Sequence, residues 1–473
     1  MIFSTFQFLV FFIAVFLLYF TVPKTWRHPL LLVSSYYFYM CSIPWYITVI
    51  IAITLVDFWA GIKIEDEAQK KTKRLYLIIS IISNFGLLFT LKYSGFFASS
   101  LGFSIPFLRF ILPLGISFHT FQAVSYTVEV YRGRYPAERN LLTYALYVAF
   151  FPQMVAGPIE RPYNLLPQFH SEKALNYDRF RSGVRLALWG LFKKVAVADL
   201  LAPAVSNVYK QPQNFSGPLL AIATFFFAVQ IYCDFSGYTD IAIGIARMMG
   251  YDLMINFRQP YFSRSIGEFW QRWHISLSTW FRDYLYIPLG GNRVPKMRHF
   301  LNLMVVFLVS GLWHGANWTF VVWGALHGFY LIFGQITAPI RSRLKSLSGL
   351  ARVPGLLSAA QMLATFVLVT VAWVFFRVGT IHDGIYIVTH MANPAGFHPE
   401  QMLTLGLPRF ELATAFFVIL VVAITEWCIA GNVKAVSGMW SARPFRWACT
   451  YACVFGIIFF GVFGHLEFIY FQF

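Results

Sequence analysis

Charge is scarce in this chain of 473 residues. Only 12% of them are charged, about half the share of an ordinary soluble domain. Acids are scarcer still: 20 Asp and Glu stand against 37 Lys and Arg, for a formal net charge of +17. The five cysteines form no C-x-x-C pair, and Cys449 and Cys453 sit four apart in an apolar run as helix-packing residues, which excludes a disulfide scaffold. Polar low-complexity tracts are missing, which excludes a disordered chain. There is no P-loop, G-x-S-x-G elbow, H-E-x-x-H or G-x-G-x-x-G, so an ATP-driven pump and a serine hydrolase both lack their usual residues. What is abundant is apolar surface, at 58% hydrophobic and 19% aromatic residues. A soluble protein so composed would expose large apolar patches and aggregate. The composition and the long apolar runs predict an all-α polytopic membrane protein.

The positive charge falls mostly between the apolar runs, where it meets lipid head groups and sets topology. No basic stripe is left over for nucleic acid, and none is expected as a partner. The first run, Ile2–Val22, has no basic residue before it and is followed by Lys24 and Arg27, unlike a cleaved secretory signal. Further runs cover Pro29–Cys41, Pro44–Ile62 and Leu75–Tyr93. Between the last two, residues 63–74 carry five basic residues in twelve, which predicts a cytoplasmic loop and an extracytoplasmic N-terminus. Later runs lie at Ile111–Val130, Leu141–Val155, Phe180–Val205, Leu219–Met249, Phe300–Trp313, Trp318–Ile336, Leu356–Phe376, Phe410–Ile429 and Trp447–Phe463. About eleven transmembrane helices follow. Pro29–Cys41, residues 96–110 and Phe300–Trp313 are too short to cross and predict re-entrant, tilted or broken segments around an enclosed cavity. The chain reads as one integral membrane domain, 1–473.

Polar groups enter this background most densely between Asn256 and Arg298. Ser265 and Glu268 fit a capping box that starts a helix, and Pro288 with Gly290–Gly291 stops it. Arg272 and Arg282 suit an interfacial amphipathic helix, with basic heads snorkelling among Trp and Tyr. That account does not require Glu268, His274 and Asp283 together, and a functional wall is the other reading. A second signal is Val309-Ser-Gly-Leu-Trp313-His314-Gly-Ala-Asn317-Trp318. An ionisable residue at membrane depth faces the protein interior, and Gly311, Gly315 and Ala316 let a backbone or ligand approach His314 closely. His327, thirteen residues on, lies more than about 130° around a continuous helix from His314 and reads as a packing residue. Asp234 and Asp240 occupy different helical faces, and no metal site is expected. Asp57, His119 and Glu426 read as structurally paired, and His465 with Glu467 as interfacial.

The motifs resemble those of the membrane-bound O-acyltransferase family, in particular its bacterial alginate O-acetylation branch. The matching stretches are Leu-Pro-Leu-Gly-Ile-Ser-Phe-His-Thr-Phe-Gln122, Phe-Pro-Gln-Met-Val-Ala-Gly-Pro-Ile-Glu160, Asp-Phe-Ser-Gly-Tyr-Thr-Asp240, Phe-Trp-Gln-Arg-Trp-His-Ile-Ser-Leu-Ser-Thr-Trp-Phe-Arg-Asp-Tyr284, Gly-Leu-Trp-His-Gly-Ala316 and the closing Phe-Ile-Tyr-Phe-Gln-Phe. His119 stands where relatives carry an aromatic residue. The resemblance implies a ring of tilted helices around a central tunnel, in a bacterial inner membrane. It implies that His314 is the essential membrane-interior histidine and His274 the second polar catalytic position, with Asp283, Trp313 and Asn317 in support. It also implies a cytoplasmic acyl thioester as donor substrate (acetyl-CoA or an acyl carrier protein), no bound cofactor and an acetyl group as cargo. The partners it implies are membrane lipid and a periplasmic SGNH-type acetyltransferase or polysaccharide acceptor.

The residues suit that chemistry. A thioester is already activated, so the enzyme chiefly needs a base for the acceptor hydroxyl and a way to hold both substrates together. A histidine in apolar surroundings stays neutral and can accept a proton, which makes His314 the expected base and His274 the group that orients the acyl carbonyl or donor. Arg258 and Arg264 are candidates, on charge alone, for the donor's phosphates. Peptidoglycan or cellulose O-acetylation and teichoic-acid D-alanylation are alternative outcomes. From another class, a transporter or flippase of a lipid-linked sugar fits the composition but gives no reason for the two histidine motifs.

Overall fold

A chain with this many apolar side chains must satisfy its backbone internally, and every regular element among the described residues is a helix. The computed structural model describes residues 1–41, 44–103, 115–154, 157–347, 352–430, 442–464 and 468–469; His465, Glu467 and the part of the 96–110 stretch beyond 103 lie outside them. Among the described residues, six helical stretches are long and apolar enough to cross a bilayer: Pro44–Asp66, Lys70–Ser100, Gly217–Met248, Trp318–Ile336, Pro354–Arg377 and Arg409–Ala430. Each falls on an apolar run seen in the sequence. The other runs form helices that are shorter or carry more charge. Phe6–Thr21 has 16 residues and is capped by the Thr5 side chain, which accepts from the Phe8 N–H. Lys24–Met40 has Pro29 inside it, and Leu141–Ala149 has nine residues. The short run Phe300–Trp313 is the apolar part of a regular 19-residue helix, Lys296–His314, whose first turn carries Lys296, Arg298 and His299. It is not a broken segment.

The chain divides into two compact units. The first comprises Met1–Trp189 and Tyr238–Ile255. Several of its buried polar residues find hydrogen-bond partners inside the unit, which offsets the cost of taking them away from water. Asp57 accepts hydrogen bonds from Ser80 Oγ at 2.5 Å and from Asn84 Nδ2 at 2.8 and 3.0 Å, and Ser80 also meets Thr127 at 3.0 Å. His119 Nδ1 lies 3.1 Å from the Val148 carbonyl. On the exposed side, Arg139 bridges Glu65 and Asp66 at 2.5 and 2.6 Å.

The second unit comprises Gly190–Gly237 and Asn256–Phe473. Here Asp234 is explained by charge: Lys194 Nζ stands 2.8 Å from both Asp199 and Asp234, with all three side chains buried. The outer oxygen of Asp234 accepts the Ile469 N–H at 2.8 Å. Five helices of this unit frame the polar stretch. They are α1 (Ile266–Arg272), α2 (Ile275–Phe281), α3 (Lys296–His314), α4 (Trp318–Ile336) and α5 (Pro354–Arg377). α3 and α4 form a hairpin whose backbones touch where glycine permits it. A methyl on Gly311 would collide with the Phe320 carbonyl, and one on Gly324 with the Phe307 carbonyl.

Candidate active site

The helix started by Ser265 does not continue to Pro288. Ser265 caps it as the sequence predicts, its Oγ accepting from the Glu268 N–H at 3.1 Å, but the reciprocal half of the capping box is shifted by one residue: the Glu268 carboxylate accepts from the N–H of Arg264 at 2.7 Å instead of that of Ser265. After seven residues the helix breaks at Trp273–His274, and α2 begins afresh. At the break His274 takes φ 44° and ψ 55°, the left-handed region that side chains other than glycine rarely occupy. Among the described residues it shares a positive φ outside glycine only with Gln259, in the preceding loop. Strained backbone of this kind concentrates at functional sites.

His314 occupies the matching place at the end of α3, where the chain leaves the helix at Gly315. Both rings are buried, and their centroids lie 6.4 Å apart. Around them stands an aromatic enclosure. His274 meets Phe235 edge-on at 4.7 Å and Trp313 at 6.0 Å. His314 meets Trp313 and Trp323 at 5.0 Å each, and Phe376 at 5.2 Å. Trp323 in turn stacks on Trp373 of α5 at 5.8 Å. The surroundings are apolar and crowded.

A cavity of about 320 Å³, within the range of small-molecule sites, is lined by residues of α1, α2, α3 and α4, and neither histidine is among its lining residues. Ile275, next to His274, lines it, and so does Ser310, one turn before His314 on the same face of α3. Trp270, Gln271, Ser278 and Arg282 continue the wall. The cavity thus combines an apolar body with a few polar groups and one guanidinium.

The other candidates have varied places. Trp313 belongs to the enclosure. Asp283 receives Arg282 Nε at 2.8 Å and so steadies a residue of the cavity wall. Asn317 is the N-cap of α4: its Oδ1 accepts from the Thr319 N–H at 3.0 Å, and its Nδ2 donates to the Gly379 carbonyl at 3.2 Å. The side chains of Arg258 and Arg264 are exposed and do not line the cavity, whereas Arg282 does. His327 is fully buried and takes the Trp270 indole N–H at 3.2 Å, the packing contact its helical position suggests. Sequence reasoning missed Asn256, which braces the His274 break, and the enclosing Phe235, Trp323 and Phe376. Only Asn256 had a visible signal, as the first residue of the polar stretch.

Residues 75–356, which hold both histidines and the cavity wall, match the model of the membrane-bound O-acyltransferase family. The chain belongs to that family. Its relatives include the "Probable alginate O-acetylase AlgI" of Pseudomonas putida, 37% identical over 435 residues that cover 89% of this chain and 87% of the relative. The peptidoglycan O-acetyltransferase of Helicobacter pylori is 34% identical over 404 residues, 79% of this chain and 74% of the relative. The teichoic acid D-alanyltransferase of Streptococcus thermophilus is 32% identical over 240 residues, 47% of this chain and 56% of the relative. Membership makes the protein a membrane-bound O-acyltransferase, and the transporter reading loses its ground.

Proposed function

We propose that this enzyme takes an acetyl group from a cytoplasmic thioester and passes it across the membrane for O-acetylation of an extracytoplasmic polysaccharide such as alginate. The observation that carries the reading is the pair of buried histidines, 6.4 Å apart between ring centroids, each at a helix end, with a mostly apolar cavity lined by the neighbour of one, Ile275, and by Ser310, one turn from the other. In this reading His314 accepts the proton of the attacking hydroxyl as its oxygen bonds to the acyl carbon. The C–S bond then breaks, and the same proton passes to the departing thiolate. His274, on its strained backbone, orients the acyl carbonyl. The cavity, at about 320 Å³, suits the slender arm of a thioester donor, with Arg282 the basic group nearest to hand. The donor is acetyl-CoA or an acyl carrier protein, and it is a substrate. No resident cofactor enters the reaction.

The same reading takes residues 1–473 as one integral domain of the bacterial inner membrane. About eleven spans and shorter helices form a ring around a tunnel, with the N-terminus outside and an SGNH-type periplasmic partner completing transfer. Peptidoglycan is the second acceptor to consider, because the Helicobacter pylori relative is similar over most of its length. The test compares cells carrying the wild-type protein, His314→Ala, or no protein. Ester-linked acetate on each purified envelope polymer is measured, together with the amount of protein in the membrane. With His314→Ala, acetate on one polymer is expected to fall to the level of the null strain, reflecting a rate loss of about 10²–10⁴-fold, while protein in the membrane stays unchanged. Wild-type acetate from that variant would sink the assignment, and the polymer that loses its acetate names the acceptor.

A further inference from the structure

Left-handed backbone at a residue with a side chain persists only where its surroundings impose it. The imposition at His274 can be traced to one residue eighteen positions earlier. The main-chain oxygen of Asn256 accepts the Ile275 N–H at 2.9 Å, and its side-chain Oδ1 accepts the Ser276 N–H at 3.2 Å. These are the first two N–H groups of α2, which a helix cannot satisfy from within. Two residues further on, the Arg258 N–H donates to the Arg272 carbonyl at 3.0 Å, on the other side of the break. The loop therefore stitches both the end of α1 and the start of α2, and the ring of His274 leaves the chain between the stitches. Asn256 is completely buried, and the second left-handed residue, Gln259, lies three residues along the same loop.

We propose that Asn256 is a positioning residue for acyl transfer, acting through His274 by fixing the helix break from which that imidazole projects. The proposal rests on the reading that His274 takes part in the reaction. Its side-chain oxygen carries the work: Nδ2 is buried and has no hydrogen-bond partner among the described residues. Asn256→Ala removes the acceptor for the Ser276 N–H and frees His274 to relax, whereas Asn256→Asp keeps an acceptor in place. Misplacing a reacting group by about 1 Å lowers rates about 10²-fold, which sets the scale of the expected effect.

The experiment measures kcat and KM for acetyl thioester with full-length purified protein carrying Asn256→Ala, Asn256→Asp, His274→Ala and the double change Asn256→Ala/His274→Ala, with the melting temperature of each. Asn256→Ala is expected to lose about 10–100-fold in kcat with little change in KM, and Asn256→Asp to recover at least about a tenth of the wild-type rate. The double variant is expected to be no slower than His274→Ala alone, because a residue that acts only through another adds nothing once that one is gone. Wild-type kcat in Asn256→Ala, or losses that multiply in the double variant, would overturn the proposal. If Asn256→Ala does not fold, a kcat for Asn256→Asp more than about 100-fold down at an unchanged melting temperature would overturn it too. Wild-type kcat in His274→Ala would instead remove the role given to His274 itself, a separable result.

Discussion

Several side chains in this protein are placed by the hydrogen bonds they make. Asn317 looked like a member of the histidine motif and proves to be a helix cap. Glu160 is another such residue, in the first unit and outside the spanning helices. It is fully buried, and burial pushes its carboxyl up to about 7 in spite of hydrogen bonds from the Met254 N–H and Asn164 and the nearby Arg161. Unfolded, the same group ionises near its ordinary 4.5. The folded state therefore holds the proton more tightly than the unfolded state, and stability is lost as pH rises from about 4.5 to 7, then levels off. Glu160→Gln cannot ionise and escapes that loss. Melting curves in detergent should show wild type and variant converging near pH 4.5, with the variant ahead above pH 7. A constant difference across the range would refute the argument.

At the scale of elements, the α3–α4 hairpin decides where His314 stands. Its two helices approach through Gly311 and Gly324, each facing the partner's carbonyl with no room for a methyl. Gly311→Ala must part the helices three residues from His314, and overpacking of this kind costs about 1–3 kcal/mol. Both the melting temperature and acyl transfer should fall. Gly334→Ala, in α4, is the control: its new methyl would meet only the tip of Arg341 at 4.0 Å, and it should be neutral. Equal effects from the two changes would mean that close approach is not what matters. The apolar pattern made this hairpin legible, since α4 coincides with the run Trp318–Ile336. The break between α1 and α2 was not legible, because Ser265 to Tyr286 reads locally as one amphipathic helix and lacks a proline or glycine at residues 273–274.

Across the whole molecule, distant segments of the second unit are tied by one buried cation. Lys194 neutralises Asp199 and Asp234, and Asp234 holds the backbone of Ile469. Removing one member of a buried ion group strands the others and costs about 3–5 kcal/mol. Lys194→Met leaves two carboxylates facing each other, so a large drop in melting temperature, or in the amount of inserted protein, is expected. A variant that inserts and melts like wild type would show that the triad contributes nothing. The sequence showed Asp234 and Asp240 as two acids on different faces of an apolar helix. The counter-ion of Asp234, forty positions earlier, could be found only once the chain had folded.

Composition alone determined that this is a helical membrane protein, because a chain so poor in charge and so rich in apolar runs has no other way to satisfy its backbone and hide its side chains. The sequence marked His314 as an ionisable residue beside small ones in an apolar background, and His274 through the polar stretch from Asn256 to Arg298 and the family resemblance. Tertiary structure decided how the two meet. The left-handed turn at His274, the bracket from Asn256 and the enclosure by Phe235, Trp323 and Phe376 all depend on contacts between residues far apart in the chain. Local propensity carries no record of such contacts, because each is imposed by a neighbour that arrives only on folding.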